Sequence, residues 1–276
     1  MRTNLVYDLP TRIFHWLFAI LFIVAFGIGT YVSDESASFP LHMLAGATMA
    51  FLVLVRIVWG FIGTQHARFS GFALNPLDLI SYLKGILTGD KKRWAGHNPA
   101  SSWAALIMMI IALALASTGI LMVTGYKKHI VKEIHELLAN GFLIVVIMHI
   151  AGVILHSVRH RDNIALSMVD GNKADIAENE IIPDSKKWLG IMLLVMVFAF
   201  IGNLFGNYNS PTRTVNIFGK YVRLGESEEH QKVRKERKHQ KKLEKALADK
   251  QIEIDGAITA IDNSGDSGAS GASGSH

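Results

Sequence analysis

The sequence contains no cysteine and only six prolines among its 276 residues. Without cysteine the chain can form no disulfide, cannot hold an iron–sulfur cluster through thiolates and cannot attach a c-type haem covalently. Any metal must therefore be held by histidine, methionine or carboxylate side chains. Charged residues are also scarce, because Asp, Glu, Lys and Arg make up 18% of the chain, against about 25% in an average soluble domain.

Charged residues are excluded from five long segments of the chain. Each of these uncharged runs has 20 or more residues, which is about the length that an α-helix needs to cross the hydrocarbon core of a bilayer. Within lipid the backbone polar groups must bond inside the segment itself, so we expect every run to be helical. Buried helices of a soluble protein are a poor alternative for so many runs. The predicted spans are 13–32, 41–62, 102–124, 136–157 and 188–206.

Three further segments lie outside the spans. Residues 76–84 begin with proline and carry apolar side chains on one face, which predicts a short helix at the membrane surface or packed against the bundle. Residues 226–251 are dense in Lys, Arg, Glu and Gln and indicate a solvated helix. Residues 263–275 are of low complexity and indicate a flexible segment. Near the start, Asp8 and Pro10 favour a retained first helix over a cleaved signal peptide.

Lysine and arginine are distributed unevenly among the loops. The loop after the first span carries Asp34 and Glu35 without a basic residue, whereas the loops after the second and fourth spans are basic. The positive-inside rule therefore predicts that the N-terminus and these two basic loops face the cytoplasm. Three lysines after the third span are a weaker conflict. Five spans would place the basic tail outside, and a re-entrant fifth segment is the alternative.

Five of the twelve histidines lie within or at the ends of the predicted spans: His15, His42, His135, His149 and His156. An ionisable side chain at membrane depth is costly and is a functional candidate by default, although a single one is more often a satisfied core residue. His149 follows His135 by fourteen residues. This is nearly four helical turns, so the two side chains share one face of the fourth span at depths about 21 Å apart.

The predicted topology pairs these histidines by depth. His15 lies at the cytoplasmic level with His149, and His42 lies at the outer level with His135. Neutral imidazole is a good axial ligand for haem iron, and two of them fill both axial positions. The spacing therefore predicts two six-coordinate b-type haems, which suit electron transfer rather than oxygen binding. His129 is a rival ligand at the outer level, but its position beyond two lysines places it in the loop.

The same residues belong to a series of motifs that resembles the prokaryotic cytochrome b561 family, which includes the b-type cytochrome subunits of nickel–iron hydrogenases. The matching segments are 7–16, 41–46, 56–63, 66–69, 96–99, 135–140 and 149–152, followed by His156. No single segment is specific, but their order across residues 5–172 is. The resemblance implies a bundle of four transmembrane helices that holds two b-type haems through histidines of the first, second and fourth spans.

The family resemblance also predicts the domain organisation. We assign residues 1–172 to a four-helix dihaem domain, residues 173–206 to a loop and a fifth membrane helix, and residues 207–276 to a basic helical and low-complexity hydrophilic tail. The expected fold is all-α and integral to the membrane. The fifth helix and the tail depart from the four-span members of the family.

The resemblance further implies an electron-transfer subunit in the bacterial inner membrane rather than a stand-alone enzyme. Such a subunit would exchange electrons between the quinone pool and a periplasmic redox partner, which is an oxidoreductase or a multihaem cytochrome. It would also anchor that partner to the membrane, and the partner would decide the direction of electron flow. A homodimer is compatible with this function, and no nucleic-acid partner is expected.

Three more residues are candidates for the inner haem site. Arg56 ends the second span at the cytoplasmic side, where it either pairs with a haem propionate or anchors the helix among headgroups. His156 lies seven residues beyond His149 on the same face, where it bonds a propionate, takes part in quinone proton transfer or only marks the membrane interface. His97 lies in a Gly-His-Asn-Pro turn before the third span, either as a turn cap or beside a quinone site.

Two interpretations from other classes stay open at this point. One is a histidine-lined transporter for protons or a transition metal, which would need carboxylates that the predicted spans lack apart from Glu136 at a boundary. The other is a cofactor-free anchor or assembly protein with structural histidines. An absorption spectrum separates both from a cytochrome, because only bound haem gives a Soret band.

Overall fold

The structure is a computed structural model that describes residues 3–88, 96–160, 164–174, 176–217, 219–224 and 228–265. The chain divides into a first unit, residues 1–225, and a second unit, residues 226–276. The helices, in chain order, are α1 (Leu9–Tyr31), α2 (Pro40–Ile62), α3 (Pro76–Thr88), α4 (Pro99–Val123), α5 (Lys128–His160), α6 (Ser167–Asp170), α7 (Lys187–Gly206) and α8 (Glu228–Gly265). The strands are β1 (Thr3–Leu5), β2 (Asn172–Ala174), β3 (Tyr208–Asn209), β4 (Thr214–Ile217) and β5 (Lys220–Arg223).

Helices α1, α2, α4, α5 and α7 are long and apolar enough to cross a membrane, with mean hydropathies between 2.0 and 2.6. These five helices confirm the five membrane helices predicted from the uncharged runs. The largest difference in bounds is at α5, which begins at Lys128 rather than at residue 136. Its first two turns are charged, and Lys132 pairs with Glu136 one turn later at 3.8 Å. Such i, i+4 pairs support a helix that continues beyond the apolar segment.

Proline marks where the helices begin. Pro10, Pro40, Pro76 and Pro99 all lie at the first or second position of a helix, where the missing N–H costs no helical hydrogen bond. Asparagine and aspartate caps add to this signal. Asn98, for example, accepts a hydrogen bond from the backbone N–H of Ser101 at 2.8 Å, which satisfies one of the unpaired donors at the start of α4.

The five long helices alternate in direction, so the first unit has two ends. We call the end with Asp8 the Asp8 side; α1, α4 and α7 begin there. The opposite end, with the α1–α2 loop, is the Asp34 side. Trp59 near the end of α2 donates a hydrogen bond to Asp8 at 3.2 Å, and Lys132 near the start of α5 donates one to Asp34 at 3.0 Å. These contacts fix the antiparallel arrangement.

An aromatic layer lies in the middle of the bundle. Phe142 of α5 is only 1% exposed. It packs against Phe18 and Phe22 of α1, with ring centroids 6.0 and 4.8 Å away. Helix α7 packs on the other side of α1 and α2, where Leu193 and Val197 are buried with Leu52.

A two-stranded sheet closes the Asp8 side. Strand β1 pairs antiparallel with β2, so that Leu5 lies opposite Asn172. The carbonyl oxygen of Gly171 accepts hydrogen bonds from the backbone N–H groups of both Val6 and Tyr7, at 2.8 and 3.0 Å. Gly171 has φ = 84°, a left-handed conformation that glycine adopts without steric cost. The segment after α5 thereby holds the start of the chain in place.

A three-stranded antiparallel sheet, in the order β3-β4-β5, covers part of the Asp34 side. Its Val215, together with Leu224, is buried against Leu44 of α2 and Leu204 of α7. This segment belongs to the predicted hydrophilic tail, residues 207–276, of a fold predicted to be all-α. The chain is instead mostly helical with five short strands in its described part. Strands of two to four residues are too short to leave a clear alternating pattern.

The other predicted segments have their counterparts. Helix α3 confirms the helix expected from residue 76; it packs on α4, and Arg159 donates hydrogen bonds to the carbonyl oxygens of Gly85 and Ile86 near its end. In the second unit, α8 matches the expected solvated helix, and every side chain described in it is exposed. The predicted low-complexity segment lies outside the described residues from residue 266 onward.

We expect Gly190→Ala to loosen the packing of α7 on α1. A Cβ atom at Gly190 would lie 2.6 Å from Cγ of Leu9, so the two helices must separate. The substitution should lower the free energy of unfolding by about 1–3 kcal/mol, measured as a lower melting temperature in detergent. Gly202→Ala is the matched control in the same helix, because a Cβ there meets no described atom within 4 Å. Equal melting temperatures for the two variants would contradict this packing.

Candidate functional site

Two histidine rings face each other at the Asp34 side. His42 lies in the first turn of α2 and His135 in the second turn of α5. Their ring centroids are 6.1 Å apart, with 72° between the ring planes. A metal ion bound to one nitrogen of each ring at about 2 Å would place the centroids roughly 6 Å apart. The observed separation therefore fits a metal between the two rings.

Hydrogen bonds fix the orientation of both rings. The Nδ1 atom of His42 lies 2.7 Å from the carbonyl oxygen of Ala25, which can only accept, so Nδ1 carries the proton. The Nδ1 atom of His135 lies 2.7 Å from Oγ1 of Thr118. The Thr118 hydroxyl also lies 3.0 Å from the carbonyl oxygens of Ala114 and Leu115, to which it donates, so it accepts from His135. In both rings the Nε2 atom keeps its lone pair available for a metal.

Small residues surround the Asp34-side pair. A Cβ atom at Gly29 would lie 3.0 Å from the ring of His42, so α1 can approach the ring only because this residue is glycine. At Gly46, Gly119 and Gly141 an added Cβ would meet no described atom within 4 Å. Three helices therefore have no side-chain bulk at these positions, which is compatible with a flat macrocycle.

The second pair lies toward the Asp8 side. The spacing along α1 and α5 assigns His15 and His149 to this level of the bundle. Both rings are half-buried. The Nδ1 atom of His15 is buried and has no hydrogen-bond partner among the described residues. An unsatisfied buried imidazole nitrogen is costly, so this ring is suited to bind a group from outside the chain.

One face of α5 connects the two levels. His135, Phe142, His149 and His156 follow one another at intervals of seven residues, which is close to two helical turns. The aromatic layer around Phe142 thus separates the two histidine pairs. His156 is buried, with 7% of its surface exposed. The structure brings the rings of His42 and His135 together, whereas the pairing of His15 with His149 stays a prediction.

Arg56 and His97 form a cluster of buried donors at the Asp8 side. Arg56 is 5% exposed; it donates a hydrogen bond to the carbonyl oxygen of Ala67 at 2.8 Å, and its guanidinium lies 5.4 Å from the ring centroid of Phe69. Burial, with the charge of Arg56, lowers the pKa of His97 to about 3, so this ring is neutral near pH 7. Nη1 of Arg56 and Nδ1 of His97 are buried without a partner in the described chain.

Asp8 joins two helices of the bundle, a role beyond the helix start that its sequence position indicates. Its side chain is fully buried. It accepts hydrogen bonds from the backbone N–H of Thr11 at 2.8 Å, from Nε1 of Trp59 at 3.2 Å and from the hydroxyl of Thr64. The carboxylate therefore caps α1 and joins it to the end of α2. Its position just before an apolar run is the sequence signal of such a cap.

Two other histidines differ from expectation or were passed over. His129 lies in the first turn of α5 and not in a loop; it is exposed and forms an ion pair with Glu133 at 3.3 Å. His66 is buried, and its Nε2 atom lies 2.7 Å from the carbonyl oxygen of Glu180. Neither residue belongs to a histidine pair. Among the described residues no group of three or more His, Asp or Glu could hold a metal ion.

Long apolar helices with a facing histidine pair are typical of membrane-bound b-type cytochromes. The family model described as prokaryotic cytochrome b561 matches residues 6–171, which is more than half of the chain and includes both histidine pairs. The chain belongs to the prokaryotic cytochrome b561 family. This membership implies electron transfer through haem b in a membrane. Helices α7 and α8 and the sheet β3–β5 lie outside the matched region.

Several curated relatives carry the name of a probable nickel–iron hydrogenase B-type cytochrome subunit. That of Rhizobium leguminosarum bv. viciae is 24% identical over 210 residues, which cover 61% of this chain and 87% of the relative. That of Bradyrhizobium diazoefficiens is 25% identical over 214 residues, with 62% and 86% covered. A relative named for hydrogenase 1 in Escherichia coli K12 is 23% identical over 152 residues, with 46% and 63% covered. No solved structure gives a significant match to this chain.

We expect Asp8→Asn to destabilise the Asp8 side. The amide keeps the shape of the carboxylate but points a donor at Trp59 or Thr64, and it loses the charge that faces Arg56. The loss should be about 1–3 kcal/mol, as for other buried acceptors, measured by thermal unfolding in detergent. Asp78→Asn, at an exposed position in the first turn of α3, is the matched control. A Tm for Asp8→Asn equal to that of the control would show that the carboxylate does not stabilise the contact between α1 and the end of α2.

Proposed function

We propose that the chain binds two haem b groups and conducts electrons across the membrane. One haem lies between His42 and His135, and the other lies between His15 and His149. The observation that carries this proposal is the Asp34-side pair, with ring centroids 6.1 Å apart and both Nδ1 atoms held by hydrogen bonds. Bound haem supplies reversible one-electron oxidation and reduction. Two histidines for each iron would suit electron transfer rather than oxygen binding.

The protein orients the ligands and adjusts their basicity. The carbonyl oxygen of Ala25 and the hydroxyl of Thr118 each accept the Nδ1 proton of a ring. Such bonds fix the tautomer and make the other nitrogen a better ligand. The same bonds hold each ring against rotation, so little rearrangement is needed when the oxidation state changes.

The buried donors at the Asp8 side support a site for the propionates of the second haem. Arg56 offers Nη1 and His97 offers Nδ1, and neither atom has a partner in the described chain. A propionate is an anion that a guanidinium binds through charge-assisted hydrogen bonds. We assign His156, which is buried on the same face as His149, to the surroundings of this haem rather than to its iron.

The proposed electron path connects the quinone pool with a periplasmic redox partner. The charge of the loops supports a cytoplasmic Asp8 side and a periplasmic Asp34 side in the bacterial inner membrane. Quinone would then react near the Asp8-side haem, and the partner would dock near the Asp34-side haem. The relatives are named as probable nickel–iron hydrogenase B-type cytochrome subunits, which supports a redox partner of the hydrogenase kind that this chain would anchor.

A reduced-minus-oxidised spectrum with haem quantitation tests this function. The purified wild-type protein should contain two haem b groups per chain. His149→Ala should retain only the Asp34-side haem, because the other haem loses an axial ligand. His129→Ala, an exposed histidine of the same helix, is the control and should retain both. A colourless protein, or a His149→Ala variant that keeps both haems, would contradict the proposal.

Thr118→Val should weaken the Asp34-side site without removing a ligand. Valine keeps the shape of threonine but cannot accept the Nδ1 proton of His135. Loss of such a partner lowers metal affinity by about 10–100-fold, measured here as faster transfer of haem to an apoprotein acceptor. Ser117→Ala is the control, because its exposed hydroxyl bonds only to the Leu113 carbonyl in the described chain. Equal transfer rates for both variants would exclude a role for the Thr118 bond.

A further inference from the structure

The loop between α1 and α2, residues 32–39, is attached at two points of the Asp34 side. Asp34 accepts a hydrogen bond from Nζ of Lys132 at 3.0 Å, one turn before His135 in α5. The carbonyl oxygen of Glu35 accepts a hydrogen bond from Nη2 of Arg213 at 3.2 Å, in the turn before β4. The loop thus connects the first turn of α5 with the sheet β3–β5.

The end of this loop contacts the Asp34-side histidine pair directly. Phe39 is the last residue before α2, and its ring stacks on that of His42 with centroids 5.4 Å apart and 24° between the planes. His42 also hydrogen-bonds to Ala25 in α1. A displacement of the loop would therefore move Phe39, which stacks on one face of the His42 ring. The hydrogen bond from His42 to Ala25 in α1 would stay in place.

Arg213 is held rigidly enough to act as an anchor. Its side chain is 4% exposed, and its carbonyl oxygen accepts a hydrogen bond from the N–H of Leu224 at 2.7 Å. Its backbone has φ = 50°, a left-handed conformation that is uncommon outside glycine and persists only where the surroundings impose it. Here Val215 and Leu224 impose it, because both are buried in the cluster that joins the sheet to α2 and α7.

We propose that Arg213 is a positioning residue for the Asp34-side haem. Through Glu35 and Phe39 it keeps the ring of His42 opposite His135, although it touches neither ring. The inference rests on the proposed binding of haem by this pair. Arg213 and the whole sheet β3–β5 lie outside the family match at residues 6–171, so this support comes from the segment that follows the matched domain.

Arg213→Ala should act on one haem only. Release of the loop admits water and removes a buried positive charge near the Asp34-side haem. Water stabilises the oxidised, more positive form because it solvates charge better than a low-dielectric site does, and loss of the arginine removes a repulsion that disfavours this form. The midpoint potential of this haem should fall, and its low-spin ferric EPR signal should shift as the imidazole planes reorient. The Asp8-side haem should keep its potential and signal.

The experiment is a redox titration with EPR on the purified dihaem protein. The signal that disappears in His135→Ala identifies the Asp34-side haem. Arg223→Ala, at an exposed arginine of β5 in the same sheet, is the matched control and should leave both haems unchanged. Arg213→Lys retains a cation and a donor and should restore most of the potential.

Two outcomes separate this inference from the function on which it rests. A wild-type protein without two haems overturns the proposed function itself. A dihaem wild type in which Arg213→Ala matches Arg223→Ala overturns only the role of Arg213. Phe39→Leu removes the stacking on His42 and leaves the sheet intact, so it should give the same selective shift. If Phe39→Leu leaves the Asp34-side signal unchanged, the inference is wrong even where Arg213→Ala fails to accumulate.

Discussion

The Asp34-side site depends on the different tasks of the two nitrogens in each imidazole. One nitrogen must be tied to the protein, and the other must stay available to a metal. Four helices meet this requirement together: α2 and α5 carry His42 and His135, and α1 and α4 supply their acceptors at Ala25 and Thr118. Because each acceptor lies on a different helix, the register of the whole bundle is coupled to the orientation of two rings.

The Asp8 side follows a different principle, since it gathers more buried donors than buried acceptors. Nη1 of Arg56 and Nδ1 of His97 are buried without a partner in the described chain, and the buried carboxylate of Asp8 already accepts three hydrogen bonds. A low-dielectric site tolerates such an excess only when an anion or a lone pair from elsewhere completes it. The two ends of the bundle thus offer complementary chemistry, with acceptors that orient imidazoles at one end and donors that suit carboxylates at the other.

Much of the architecture could be predicted from the sequence, because the signals that define it are long. Runs of 20 or more uncharged residues predicted the five helices, and the interval between His135 and His149 placed both on one face. The partner groups in the hydrogen bonds around the site could not be predicted in this way. Thr118 lies within an apolar run where threonine carries no distinctive signal. Arg213 contacts Glu35 across 178 residues of sequence, a separation that no local pattern spans.

The bounds of α5 show why local charge misled the prediction. Lys132 and Glu133 interrupt the apolar pattern, so the helix was expected to begin after them. In the structure these residues pair with Glu136 and with His129 along the helix surface. Their charges indicate that this part of α5 lies outside the membrane, but they do not mark the end of the helix. Hydropathy therefore located the part of α5 inside the membrane but not the full helix.

The pairing of β1 with β2 has a consequence for how the chain is made. Thr3–Leu5 can reach its partner only after the ribosome has synthesised Asn172–Ala174. At about 5–20 residues per second, this interval lasts roughly ten to thirty seconds. During this time four long helices emerge from the ribosome, namely α1, α2, α4 and α5. Strand β1 cannot yet pair with β2. The hydrogen bonds at Gly171 then fasten the assembled helices late in biogenesis.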